Sequence, residues 1–110
     1  MRYMIDIDGT ICTNTNGQYE KAEPYHYRIK HFNELYDLGF EIHYWTARGG
    51  NSGKDWTELT SQQLKEWGVK FTSLKLGKPP YDIWIDDKAH NVEVYFNQSR
   101  GDSPQLSESF

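Results

Sequence analysis

Four short runs rich in β-branched and aromatic residues, at 2–7, 40–46, 69–76 and 81–85, alternate with segments whose apolar residues recur at helical spacing. Each run stops at a turn signal or a Gly- or Pro-containing loop, as a strand would. Strands that alternate with helices return to one sheet by right-handed crossovers, so the pattern predicts an α/β chain with a central, mostly parallel sheet covered on both faces. The expected architecture is a three-layer, Rossmann-like α/β/α fold. Sheets of this kind bind ligands just beyond the carboxyl ends of their strands.

The helical segments carry their own stops. Pro24 suits a helix entry, and Ile29, Phe32, Leu35, Tyr36 and Leu38 then mark a helix over 25–38 that Gly39 ends. Asp55 with Glu58 is a capping-box variant, and Trp56, Leu59, Gln63, Leu64 and Trp67 follow at helical spacing up to Gly68. A last helix over 88–97 places Val92, Tyr95 and Phe96 on one face. Between residues 11 and 24 the chain is polar, and Asn16-Gly17 predicts a short exposed hairpin between Thr13 and Tyr19.

A chain of 110 residues fits one domain, expected over 1–99 with a polar, Ser-rich tail over 100–110. Only 36% of residues are hydrophobic, but 15% are aromatic, and each aromatic ring buries far more area than an aliphatic side chain. The net charge of −4 sets up no attractive field for a polyanion, so nucleic acid is disfavoured as a partner. The single cysteine, Cys12, excludes an internal disulfide framework and a cysteine-based zinc site. No apolar run reaches the roughly 18 residues of a membrane span, and no signal peptide opens the sequence, so a cytoplasmic protein with no membrane partner is expected. The triplet Arg100-Gly101-Asp102, without secretion, is read as chance.

Chemistry concentrates at the end of the first run, Asp6-Ile7-Asp8-Gly9-Thr10. Alternation along a strand points Asp6 and Asp8 to one side, and Gly9 lets the chain turn sharply. Two carboxylates this close repel unless a cation or proton lies between them, and an oxygen-rich pair suits Mg²⁺. The second run delivers Thr46 to a Gly-rich loop, and the last run ends at Asp86-Asp87 behind Lys78.

In order and placement these residues resemble the four motifs of the haloacid-dehalogenase (HAD) superfamily, over roughly residues 1–90. Trp45-Thr46-Ala47-Arg48-Gly49, Asp55-Trp56, Gly77-Lys78-Pro79, Asp82 and Ile85-Asp86-Asp87-Lys88-Ala89 further resemble the small capsule-biosynthesis phosphatases of bacterial polysaccharide loci. The resemblance implies a Mg²⁺-dependent phosphomonoester hydrolase working through an aspartyl phosphate, on a small phosphorylated substrate such as a sugar phosphate of surface-polysaccharide synthesis. It implies Asp6 as nucleophile and Asp8 as general acid and base, with the Asp8 backbone carbonyl also on the metal. It implies Thr46 and Lys78 as donors to phosphoryl oxygens, with Gly9, Thr10, Ala47 and Arg48 as further phosphate or substrate contacts. Asp86 would ligate the metal directly and Asp87 through water, or in the reverse order.

Plainer readings exist for each residue. Asp6 and Asp8 could be turn carboxylates, although acids at the end of an apolar strand are costly. Thr46 could be a structural β-branched residue, Lys78 a solvated lysine with Lys75 as competitor, Asp87 a helix cap and Arg48 a surface charge. Gly53-Lys54 does not make a nucleotide-triphosphate loop, because Asp55 replaces the required Ser or Thr.

The hairpin and first helix use up the chain between Thr10 and Thr46, and a loop, helix and strand use up that between Thr46 and Lys78. No cap domain fits, only a short flap hairpin. An open site predicts help from the flap, the Gly-rich loop or a neighbouring subunit of a homo-oligomer. Two rivals are a phospho-acceptor or phosphate-binding module without turnover and a phosphatase of polynucleotide ends.

Overall fold

The computed structural model describes residues 1–50, 54–79 and 81–99. By its contacts the chain divides into two compact units, Met1–Pro80 and Tyr81–Phe110, where one domain to residue 99 was expected. The expected tail, with its Arg-Gly-Asp triplet, lies outside the described residues, as does Gly53.

The first unit is a mixed α/β, Rossmann-like architecture on a three-stranded parallel sheet. Strands β1 (Arg2–Ile5), β2 (Glu41–Trp45) and β3 (Ser73–Lys75) lie side by side in that order. Helix α1 (His26–Asp37) makes the crossover from β1 to β2, and α2 (Thr57–Glu66) that from β2 to β3. The register sets Tyr3 opposite Ile42, Ile5 opposite Tyr44, and Tyr44 opposite Leu74. One sheet face therefore carries Ile5, Ile42 and Tyr44, all buried, and Ile7 continues it just past β1. The other face presents Met4 and His43 in one row, with Met4 57% exposed.

Helix faces follow from the same arithmetic with two corrections. On α1, Arg28, Ile29 and Phe32 are buried, whereas Tyr36 and Leu38 of the expected stripe are exposed. Positions 28, 29 and 32 share a 3.6-residue stripe from which Leu38 has rotated away. On α2 the buried residues are Thr60, Gln63 and Leu64, two of them polar. The helix is capped at Trp56, without a side-chain cap, and not by a box on Asp55; the Asp55 Oδ1 accepts the Thr57 backbone N–H at 2.9 Å in a turn just ahead of it. Asn33 on α1 braces the turn after α2, donating to the Gly68 carbonyl and accepting from the Lys70 amide, both at 2.8 Å.

The hairpin closes farther out than a two-residue turn between Thr13 and Tyr19. Its rungs are Tyr25 N–H to the Ile11 carbonyl and Thr13 N–H to the Glu23 carbonyl. Asn16 and Gly17 hold the left-handed conformation at φ 54° and 93°, as such a turn requires. A 3-10 turn over Tyr19–Lys21 then returns the chain.

In the second unit the expected fourth strand, at 81–85, has no strand structure, and Ile83 and Ile85 are 77% and 92% exposed. A β-prone run is a side-chain preference for a pleated, half-buried surface, and it becomes a strand only with a ladder partner. Helix α3 (Val92–Ser99) begins four residues later than expected, where the Asn91 Oδ1 accepts the Glu93 N–H at 2.9 Å. Among the described residues no helix is long and apolar enough to cross a membrane.

Leu64 is fully buried on α2. Leu64→Ala is expected to cost roughly 2–5 kcal/mol, read as a lower denaturation midpoint at unchanged slope.

Candidate active site

The loops that leave the carboxyl ends of β1, β2 and β3 carry Asp6 and Asp8, Thr46 and Arg48, and Lys78 respectively. Hydrogen bonds lock these loops to one another. The Lys78 amide donates to the Thr46 carbonyl at 2.8 Å, and the Gly77 amide to the Arg48 carbonyl at 3.2 Å. Gly49 sits at φ 80° with no room for a side chain, since an added Cβ would lie 2.7 Å from the Lys54 carbonyl oxygen.

Asp8 is the most heavily engaged acid. Arg48 grips it with both arms of its fork, Nη2 to Oδ1 at 2.8 Å and Nε to Oδ2 at 3.0 Å. The Thr46 hydroxyl approaches Oδ2 at 3.4 Å, and the Cys12 thiol approaches Oδ1 at 3.6 Å. Burial and the neighbouring Asp8 charge push the Cys12 thiol up to about 12, so it stays protonated and inert.

Asp6 lies in a different environment. Burial pushes its carboxyl up from the ordinary value, and the Lys78 charge is the strongest influence drawing it back, while Asp8 nearby raises it further. Lys78 is itself nearly buried, with its Nζ 5.8 Å from the centre of the Trp45 ring. Thr46 thus reaches Asp8, and Lys78 and Asp8 both stand near enough to Asp6 to act on its charge. Strand β1 ends before either acid, so the turn at Gly9 and the Arg48 fork aim Asp8, and strand alternation does not.

The expected phosphate contacts divide. The Gly9 and Thr10 amides are spent inside the loop, on the Cys12 and Ile7 carbonyls at 2.8 and 3.0 Å, so a contact of either residue with phosphate would not run through its main-chain N–H. The Arg48 amide is bound to the Thr46 hydroxyl at 3.2 Å. The Ala47 amide, directly after Thr46, has no acceptor among the described residues. Arg48, expected at the substrate, is 1% exposed, and its remaining Nη1 donates to Thr60 Oγ1 at 3.0 Å and Gln63 Oε1 at 2.6 Å. Sequence reasoning missed Thr60 and Gln63; the readable signal was a Gln inside an apolar helical stripe, a polar group that burial obliges to find a partner.

Mg²⁺ takes oxygen ligands, commonly one or two carboxylates completed by waters and substrate phosphate. Asp6 fits, as a desolvated carboxyl whose charged form a cation would favour, and the Asp8 main-chain carbonyl is a second oxygen on the same loop. The Asp8 carboxylate is already occupied by Arg48. Asp86 and Asp87 belong to the second unit, where the Lys88 amide donates to Asp86 Oδ1 at 2.8 Å and holds that carboxyl below its usual range. Among the described residues no three His, Cys, Asp or Glu side chains gather as a metal-binding group.

No family model and no curated protein matches the chain. A crystal structure of an MCSG target from Vibrio cholerae is similar to it, with a TM-score of 0.81 and 27% sequence identity, covering 98% of this chain and 97% of that one.

Because burial raises the Asp6 carboxyl, its ionisation opposes folding at any pH above the ordinary aspartate value of 3.8. In chelator at pH 7, Asp6→Asn is therefore expected to melt higher than the parent. The gap narrows as pH falls through the raised value and closes below 3.8, which thermal melts across pH would check.

Proposed function

We propose that the chain is a Mg²⁺-dependent phosphomonoester hydrolase that works through an aspartyl phosphate on Asp6. The observation that carries this reading is the pairing of two acids on one loop in opposite environments. Asp6 is a desolvated carboxyl facing a cation, and Asp8, two residues on, is held by a guanidinium and a hydroxyl. A cation bound at Asp6 would restore the charged form that attack needs, whereas the guanidinium favours the charged form of Asp8, so the assignment of nucleophile and proton carrier between them follows the sequence resemblance.

Asp6 attacks phosphorus in line, and the bond to the leaving oxygen breaks as Asp8, which must first take up a proton and yield one of its two bonds from Arg48, gives that oxygen the proton. Water then gives a proton to Asp8 as its oxygen bonds phosphorus and the Asp6 ester breaks, releasing phosphate. The Lys78 ammonium and the Ala47 amide supply donors for the phosphoryl oxygens. Bound Mg²⁺ would screen repulsion between Asp6 and the incoming phosphate. Sequence resemblance supports a sugar phosphate of surface-polysaccharide synthesis as substrate, in a cytoplasmic enzyme whose open site a second copy would help to cover.

Phosphate release from sugar phosphates, nucleotides and oligonucleotide ends, with Mg²⁺ and with chelator, tests the reading. Metal-dependent multiple turnover is expected on small phosphomonoesters, abolished in Asp6→Asn with the fold retained. In Asp8→Asn turnover is expected to fall by about 10²–10⁴-fold, the usual contribution of a positioned acid and base. A single phosphoryl transfer without turnover would instead identify a phospho-acceptor module.

A further inference from the structure

All three guanidinium nitrogens of Arg48 are committed inside the protein. Two hold the Asp8 carboxylate and the third holds Thr60 and Gln63 on α2. The flat face is covered as well, with the Tyr19 ring centre 4.7 Å from the guanidinium carbon. Gln63 closes the circuit, since its Nε2 donates to the Tyr19 carbonyl at 2.7 Å. The other side-chain partners of Asp8, Thr46 and Cys12, sit at the long distances of 3.4 and 3.6 Å and do not fix the plane of a carboxylate. A bidentate fork does fix it.

We infer that Arg48 is the positioning residue that sets the orientation of Asp8, and that Thr60 and Gln63 on α2, with Tyr19 from the flap, set Arg48. The inference rests on the proposed role of Asp8 in both half-reactions. Arg48 touches neither substrate nor leaving group, so its loss acts on the steps that use Asp8. A p-nitrophenolate leaving group needs no proton, whereas an alkoxide does. With p-nitrophenyl phosphate a misplaced Asp8 therefore spares formation of the aspartyl phosphate and slows its attack by water. With an alkyl phosphate both steps suffer.

The test is rapid-mixing kinetics of the full chain with Mg²⁺, for parent, Arg48→Lys and Thr60→Val, on p-nitrophenyl phosphate and glycerol phosphate. Lysine keeps the charge and loses the fork; valine keeps the shape and loses one of the two Nη1 acceptors, leaving Gln63. Arg48→Lys is expected to lose about 100-fold in kcat, as a small misplacement of a catalytic group does. It should show a burst of p-nitrophenolate approaching one per active site, a lower KM as the phosphorylated form accumulates, and no burst on glycerol phosphate. Thr60→Val is expected to lose several-fold in kcat and to hold more phosphorylated protein at steady state than the parent.

A raised KM at parent kcat would make Arg48 a substrate contact and overturn the inference. So would a loss of rate that only tracks the folded fraction, with no burst. Should Arg48→Lys fail to fold, parent-like kinetics in Thr60→Val overturn the inference on their own. If the parent releases no phosphate from either ester, the hydrolase reading itself fails; an active parent with unaltered variants removes Arg48 alone.

Discussion

The buried ion pair between Asp8 and Arg48 is the contact on which the rest of this site depends. It joins the loop after β1 to the loop after β2, and through Thr60 and Gln63 it reaches α2. A guanidinium that leaves water this completely must have every donor satisfied, because breaking such a pair from one side strands a charge in the interior. That requirement explains why two of the three buried residues of α2 are polar. It also explains why the face of Tyr19 lies against the guanidinium: a weakly hydrated planar cation stacks well on an aromatic ring.

Much of this was legible in the order of residue types. The alternation of runs gave the parallel α/β architecture, because crossover geometry leaves few other ways to arrange such a pattern. Asp6, Asp8, Thr46 and Lys78 were readable because each closes or follows a strand of one sheet, and parallel strands release their loops on the same side. Arg48 was misplaced because nothing in its sequence position distinguishes a cation that binds a ligand from one that binds a neighbouring acid. The deciding residues, Thr60 and Gln63, lie twelve and fifteen positions away on a helix. The engagement of the Gly9 and Thr10 amides was out of reach of the sequence for a related reason. Whether an amide is available depends on how the loop folds back on itself, and here it folds onto Ile7 and Cys12. The run at 81–85 shows the limit of composition, since a strand is a relation between two segments.

The two acids at the end of β1 illustrate how one short loop can hold unlike groups. Asp6 meets partial burial and a lysine whose charge only partly offsets it. Asp8 meets a fork of two charge-assisted hydrogen bonds. Between them runs Ile7, wholly buried, which anchors the segment so that neither carboxyl drifts toward the other. Cys12 fills the space beneath as a small apolar group whose thiol has been made unreactive.

Tyr19 has one more consequence. Its ring packs against Trp56 at 4.9 Å in a T-shaped pair and lies face-on to Arg48, and its carbonyl is held by Gln63, so the return arm of the hairpin is fastened at three points, to the loop after β2, to the residue before α2 and to α2 itself. A flap fastened in this way has already lost most of its freedom before any ligand arrives. The entropy of ordering it is charged to folding, and a ligand entering beside it would meet a preformed wall.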